Sequence, residues 1–164
     1  MNSRLNNAAP FVPDPDVFLQ NCRDFTARFP EQAAALGLNS PGTALQRFRS
    51  MPDGYVLLQT RSKDAEAAPT LSLNGLFLHS KYDPQEEARR VLASDFFQTE
   101  EAHSRCIFAG LGLGYLATQY IERFPAAETV VIEPDTAAFV CFLAARRRAS
   151  FFRQQRLSLL IGTT

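Results

Sequence analysis

The sequence predicts an α/β protein, in which a parallel β-α-β-α-β half-sheet follows an N-terminal helical segment and a β meander. Three observations predict it. From residue 105 onward, apolar strand-like runs alternate with helix-like runs. Over 51–78, short β-rich runs are punctuated by the turn formers Pro52-Asp53-Gly54 and Asn74-Gly75. Proline and acidic N-cap signals open helical periodicity on both sides of that region.

Residues 1–15 read as a flexible lead, because prolines at 10, 13 and 15 hold the chain extended and block helix. The segment 16–50 reads as helical. Asp16 is the expected N-cap of a first helix whose apolar positions are Val17, Leu19, Phe25 and Phe29. Pro30 and Gly37 bracket a second, short helix. The segment 51–104 reads as a meander followed by a capped helix. Gly54–Thr60 is a β-rich run, 61–69 is a polar loop, and Leu71 and Leu73 are joined to Leu76 and Leu78 through Asn74-Gly75. Asp83, Pro84 and Glu86 then spell N-cap, first turn and capping box of a helix with Ala88, Val91, Leu92 and Phe96 at helical spacing.

The segment 105–164 reads as Rossmann-like. "RCIFAG" is a first strand. Leu113, Leu116, Ala117, Tyr120, Ile121 and Phe124 recur on one helical face, and "ETVVIE" (128–133) is a second strand. "DTAAFVCFLAARRR" is apolar almost all round, so its helix is expected to be covered on more than one side. "RLSLLIG" (156–162) is a third strand. Right-handed crossovers then give a parallel sheet in the order 3-2-1, extended by the meander. A doubly wound domain usually has more strands, so the expectation is an N-terminal portion of a longer protein, truncated at its C-terminal end.

Composition excludes several classes. Seventeen basic and seventeen acidic residues cancel, which gives no basic excess for nucleic acid. The N-terminus lacks the apolar core of a signal peptide and no apolar run approaches a membrane span. The cytoplasm is therefore the default location, with no membrane partner. Cys22, Cys106 and Cys141 are widely spaced, without C-x-x-C, and read as buried reduced thiols. With only His79 and His103 besides, no metal site is predicted.

The candidate cofactor loop is "FAGLGLGY". As Gly110-x-Gly112-x-Gly114 it fits a methyltransferase-type adenosyl loop. As Gly112-x-Gly114-x-x-Ala117 it fits the dinucleotide fingerprint. Both need glycine for positive φ or close ligand approach, and both present a helix N-terminus to an anion. Glu133 ends the second strand nineteen residues past Gly114, where an acid would hold ribose hydroxyls. The candidate ligands are a nucleotide, a nucleotide sugar or S-adenosylmethionine. Equally, the glycines can serve close helix–strand packing and Glu133 the start of the next helix. Phe108 stands where methyltransferases usually carry an acid.

A second dense motif is "HSKYDP". Its Asp83-Pro84 belongs to a helix cap, whereas Lys81 and Tyr82 can either meet an anionic ligand or lie in a plain turn. Arg146, Arg147 and Arg148, with Arg153 and Arg156, form a basic cluster suited to a helix C-terminus. No nucleophile–base motif is present, so no catalytic residue is assigned.

Three pieces in this order resemble one family. They are Ser80-Lys81-Tyr82-Asp83-Pro84 before a helix with Glu87 and Ala88, Gly110 with Gly112 to Tyr115, and Val131 to Pro134. Residues 54–162 resemble the N-terminal region of the Maf (motility-associated factor) flagellin glycosyltransferases. The resemblance implies a parent protein of the bacterial flagellum pathway that attaches nonulosonic acids such as pseudaminic acid to flagellin Ser and Thr. It implies a downstream catalytic domain of the same chain as partner, and flagellin as acceptor. It carries no catalytic residue onto this segment. The alternatives are the front half of an adenosylmethionine-dependent methyltransferase and a purely packing domain.

Overall fold

The computed structural model describes residues 8–61 and 68–162. The start of the expected lead, the centre of the polar loop and Thr163-Thr164 lie outside the described residues. Eight helices and six strands follow in the order α1 (Pro15–Arg28), α2 (Pro30–Ala35), α3 (Pro41–Arg49), β1 (Tyr55–Leu58), β2 (Thr70–Leu73), β3 (Leu76–Phe77), α4 (Pro84–Leu92), a 3₁₀ turn (Asp95–Gln98), α5 (Glu100–Ser104), β4 (Arg105–Ala109), α6 (Tyr115–Arg123), β5 (Glu128–Glu133), α7 (Thr136–Ala145), α8 (Ala149–Phe152) and β6 (Leu157–Ile161) among the described residues.

Proline starts the first four helices, where its missing N–H costs nothing. This corrects the expected cap of α1. Asp14 is the N-cap, accepting from the Asp16 N–H at 2.8 Å, and Pro15 is helical rather than part of an extended lead. The buried stripe of α1 is Phe18, Asn21, Cys22 and Phe25, one register from Val17 and Leu19. The capping box of α4 is half-formed. Asp83 Oδ1 accepts the Glu86 N–H at 2.9 Å, while Glu86 turns outward to Arg89 and Arg90. Of the apolar set expected on that helix face, Val91 and Phe96 are exposed, and only Ala88 and Leu92 are buried.

The meander does not extend the parallel sheet. β1, β2 and β3 form their own antiparallel sheet, closed by Asn74-Gly75 with φ of 50° and 85° as a type I′ turn requires. Its inner face, with Tyr55, Leu57 and Leu71, packs against Cys141 and Ala145 of α7, so a helix lies between the sheets. Residues of the lead are held there too, since Phe11 N–H donates to Leu57 O at 3.0 Å and Gln59 N–H to Ala9 O at 2.9 Å.

The parallel sheet runs β4-β5-β6 with β5 central, the 3-2-1 order predicted. One of its faces is closed by Cys106, Phe108, Val131, Leu157 and Leu159, all buried against α6 and α7. Every residue of α7 from Ala138 to Ala145 is buried, which explains its lack of a polar face. Phe25, Phe139, Phe142, Phe151 and Phe152 form the aromatic centre of this layer. Truncating one of them to alanine would cost about 3–5 kcal/mol. All three cysteines are buried and free, and burial pushes the Cys22 and Cys141 thiols up to about 12. Among the described residues, no helix is long and apolar enough to cross a membrane.

Candidate functional site

The glycine loop joins β4 to α6 at the carboxyl end of the parallel sheet, where doubly wound folds place ligands. Its three glycines all have positive φ, but they do different things. A Cβ on Gly112 would lie 2.5 Å from His79 Nε2, and one on Gly114 would lie 2.5 Å from the Phe142 ring. These two glycines admit side chains from other elements. A Cβ on Gly110 would meet nothing within 4 Å. Its open side faces a cleft of about 250 Å³ lined by His79, Glu87, Gly110, Leu116 and Ala117.

Each N–H of the loop has a protein acceptor. Gly110 donates to Ile132 O at 2.7 Å, Leu113 to His79 Nε2 at 2.7 Å, and Gly114 to Leu111 O at 2.8 Å. Leu111 and Gly112 both donate to Glu133 Oε2, at 2.7 and 3.2 Å. Glu133 Oε1 accepts from the Asp135 N–H at 3.0 Å, and the side chain is 5% exposed. The carboxylate that sequence spacing places near a ribose therefore sits inside the loop as its own anion, in the concavity that successive N–H groups make.

His79, the first residue of "HSKYDP", is the link that spacing does not reveal. It accepts from Leu113, lies over Gly112 and meets the Tyr115 ring edge-on at 5.3 Å. Burial holds it neutral, lowering its pKa from 6.5 to about 4; nearby Glu87 opposes that shift and Arg148 adds to it. The rest of the motif divides. Ser80 Oγ accepts from the N–H groups of Tyr82 and Asp83, the Ser80 N–H donates to Glu87, and Pro84 is buried at the start of α4. Lys81 and Tyr82 face outward, with Lys81 Nζ 5.3 Å and the Arg61 guanidinium 5.9 Å from the Tyr82 ring centre.

The arginines do not act as one cluster. Arg153 and Arg156 are exposed, Arg147 is exposed, and Arg148 is 3% exposed. Arg148 donates from Nε to Phe142 O at 3.1 Å and from Nη2 to Leu113 O at 2.8 Å, with its guanidinium 4.1 Å from the Phe142 ring centre. It thus ties the last turns of α7 to the glycine loop, where a cation suits the helix dipole. Burial lowers its pKa to about 9, so it stays charged at neutral pH. Asn21 of α1 completes this end of α7. Its Nδ2 donates to Leu143 O and Arg146 O, both at 2.6 Å, and its Oδ1 accepts from the Arg148 N–H at 2.8 Å.

The loop is therefore pre-organised by the protein alone. What it still offers is the first turn of α6. Gly114, in a left-handed conformation, provides no side-chain cap, so the leading N–H groups of α6 have no intrahelical acceptor, and Tyr115, Leu116 and Ala117 line the cleft beside Gly110. Such a cleft can bind a hydroxyl-rich or anionic group. Among the described residues, no group of three or more His, Cys, Asp or Glu is placed to hold a metal ion.

No family model matches the chain. A protein of Treponema pallidum (strain Nichols), described only as an uncharacterized protein, is 39% identical over 152 residues, which cover 93% of this chain and 49% of that protein. The chain thus spans about half the length of the curated relative it matches. Among solved structures, a MAf glycosyltransferase from Magnetospirillum magneticum AMB-1 superposes with a TM-score of 0.52 at 16% identity, over 91% of this chain and 28% of that one. At that identity the likeness shows a shared α/β fold.

Proposed function

We propose that this chain is the α/β front module of a motility-associated glycosyltransferase. It acts as a recognition or scaffold unit whose Gly110 cleft takes the nucleotide end of a nucleotide sugar. Transfer of a nonulosonic acid to Ser or Thr of flagellin then takes place on a catalytic domain of the same protein, in the cytoplasm. One observation carries this. The three segments that bear the family resemblance are far apart in the chain, yet His79, directly before the first, and Glu133, within the third, both grip the second between Gly110 and Gly114. The fold likeness to the MAf glycosyltransferase supports the same reading. The engagement of both Glu133 oxygens by main-chain N–H groups argues against adenosyl binding in the methyltransferase manner.

Calorimetry with a CMP-nonulosonic acid, with CMP and with S-adenosylmethionine tests it. The expected result is heat with the first two, lost in Gly110→Leu, whose side chain would fill the cleft. Heat with S-adenosylmethionine alone, or with none of the three in a folded sample, overturns the ligand assignment.

A further inference from the structure

The parallel sheet is closed on one face only. On the other, the cross-strand rows are Arg105–Glu128, Ile107–Val130–Ser158 and Ala109–Ile132–Leu160, and none of these residues is buried. Ile107 is 66% exposed and Leu160 44%. Parallel sheets are otherwise covered on both faces.

The two edges of this sheet also differ. β6 points the Leu159 carbonyl and the Ile161 N–H outward, and the Gln32 side-chain amide takes both, at 2.8 and 3.4 Å. That amide fills the place of a neighbouring strand. On β4, Gly110 N–H turns toward β5 and bonds Ile132 O, so by alternation Ile107 and Ala109 present their N–H and C=O groups outward. No described strand pairs with them. The β6 edge is stopped and the β4 edge is open.

Handedness connects the open edge to the open face. α6 and α7 lie on the closed face as the chain steps from β4 to β5 to β6. A right-handed crossover that steps back the other way, to a strand beyond β4, lays its helix on the opposite face. That face is the one carrying Ile107, Val130, Ile132 and Leu160.

We infer that β4 pairs with a fourth, parallel strand, whose crossover helix covers Ile107 and Leu160. This would give the order 3-2-1-4 and set the glycine loop at the topological switch point. The occupant is a strand–helix unit of the same protein outside residues 1–164. Two observations point to it: the Treponema pallidum relative carries about as much polypeptide outside the match as within it, and the MAf glycosyltransferase is longer still. The occupant chemistry follows from the rows: an apolar strand beside Ile107 and Ala109, and a helix whose apolar stripe meets the two central rows while polar residues meet Arg105 and Glu128. The inference rests on the reading of this chain as one module of a longer transferase.

The test uses thiol reactivity, with the native cysteines buried and therefore silent. Ile107→Cys and Leu160→Cys are labelled in the 1–164 chain and in the protein as expressed from its complete gene, with Ser150→Cys, on the exposed start of α8, as control. The expected result is labelling at 107 and 160 at least about 10-fold slower in the longer protein, with the control unchanged. Amide exchange at Ile107 and Ala109 should slow with it. Equal labelling in both forms overturns the inference. So does shielding in the 1–164 chain that grows with its concentration, because the occupant is then a second copy. Calorimetry at the Gly110 cleft is read separately on the same samples. Bare residues at 107 and 160 with intact nucleotide binding would overturn this inference alone, and the reverse outcome would overturn the ligand assignment alone.

Discussion

His79 should make this fold acid-sensitive, and the size of the effect follows from its surroundings. In the folded protein the imidazole is an acceptor, 2.7 Å from the Leu113 N–H, packed over Gly112 and against Tyr115. Protonation would put an N–H against an N–H in a buried site that also faces Arg148. Burial lowers its pKa from 6.5 to about 4, against the opposing pull of Glu87. The unfolded chain therefore binds a proton between those values that the folded chain refuses. Stability from this group is complete above pH 6.5 and is lost as pH falls toward 4; a displacement of that size corresponds to ~3 kcal/mol. His79→Gln keeps an acceptor in nearly the same place but does not titrate. Urea unfolding followed by circular dichroism from pH 7.5 to pH 4 should show the wild type losing ~3 kcal/mol more than His79→Gln. At pH 7.5 the two should differ by less than about 1 kcal/mol, while His79→Leu, which orphans the Leu113 N–H, should be about 1–3 kcal/mol less stable than His79→Gln at every pH. Parallel pH profiles for the wild type and His79→Gln would refute the neutral-acceptor assignment.

Three further outcomes follow from the same geometry. In thermal melts, Gly112→Ala and Gly114→Ala should each cost about 3 kcal/mol or more, since positive φ and a contact at 2.5 Å act together, whereas Gly110→Ala should cost only about 1–2 kcal/mol of backbone strain. Equal losses at all three would refute the division between packing glycines and an open one. Glu133→Gln should lose about 2–4 kcal/mol in urea titrations, because an amide cannot accept all three N–H groups without turning a donor toward them; a neutral substitution would show that the carboxylate does not hold the loop. Asn21→Ala should cost about 3 kcal/mol by leaving the Arg148 N–H and the last carbonyls of α7 without partners, and a loss below about 1 kcal/mol would contradict that capping role.

The sequence made the β-α-β-α-β unit legible because its signals are local. Apolar runs, Asp135 before α7 and a glycine-marked turn sit within a few residues of what they specify, and "ETVVIE" is the strand β5 itself. The misreadings have a common physical origin. Strands β4, β5 and β6 carry apolar residues on both faces, so no alternation announces that Ile107 and Leu160 lie on an uncovered one. In α1 the stripe of Phe18, Cys22 and Phe25 is interrupted by Asn21, whose partners lie more than 120 residues away, at the end of α7 and in the segment that follows it. His79 and Arg148 were each embedded in runs of polar residues that look solvated. Their burial depends on carbonyls and N–H groups of a loop that no periodicity connects to them.

These remote contacts also separate two roles that one glycine motif can play. In a ligand-organised loop, main-chain N–H groups wait for a phosphate or an adenosyl group, and the empty loop carries unsatisfied donors. Here Glu133, His79 and Ile132 accept those donors, and Arg148 holds the Leu113 carbonyl from behind. The loop keeps its shape without a ligand, so Gly112 and Gly114 need no cofactor to account for them. Of the three loop glycines only Gly110 has open space beside it, in the cleft that Leu116 and Ala117 also line. A ligand entering the cleft would meet the loop from that side, past Gly110 and the residues that open α6. Gly110 directly follows β4, so the open side of the loop adjoins the strand edge that no described strand pairs with.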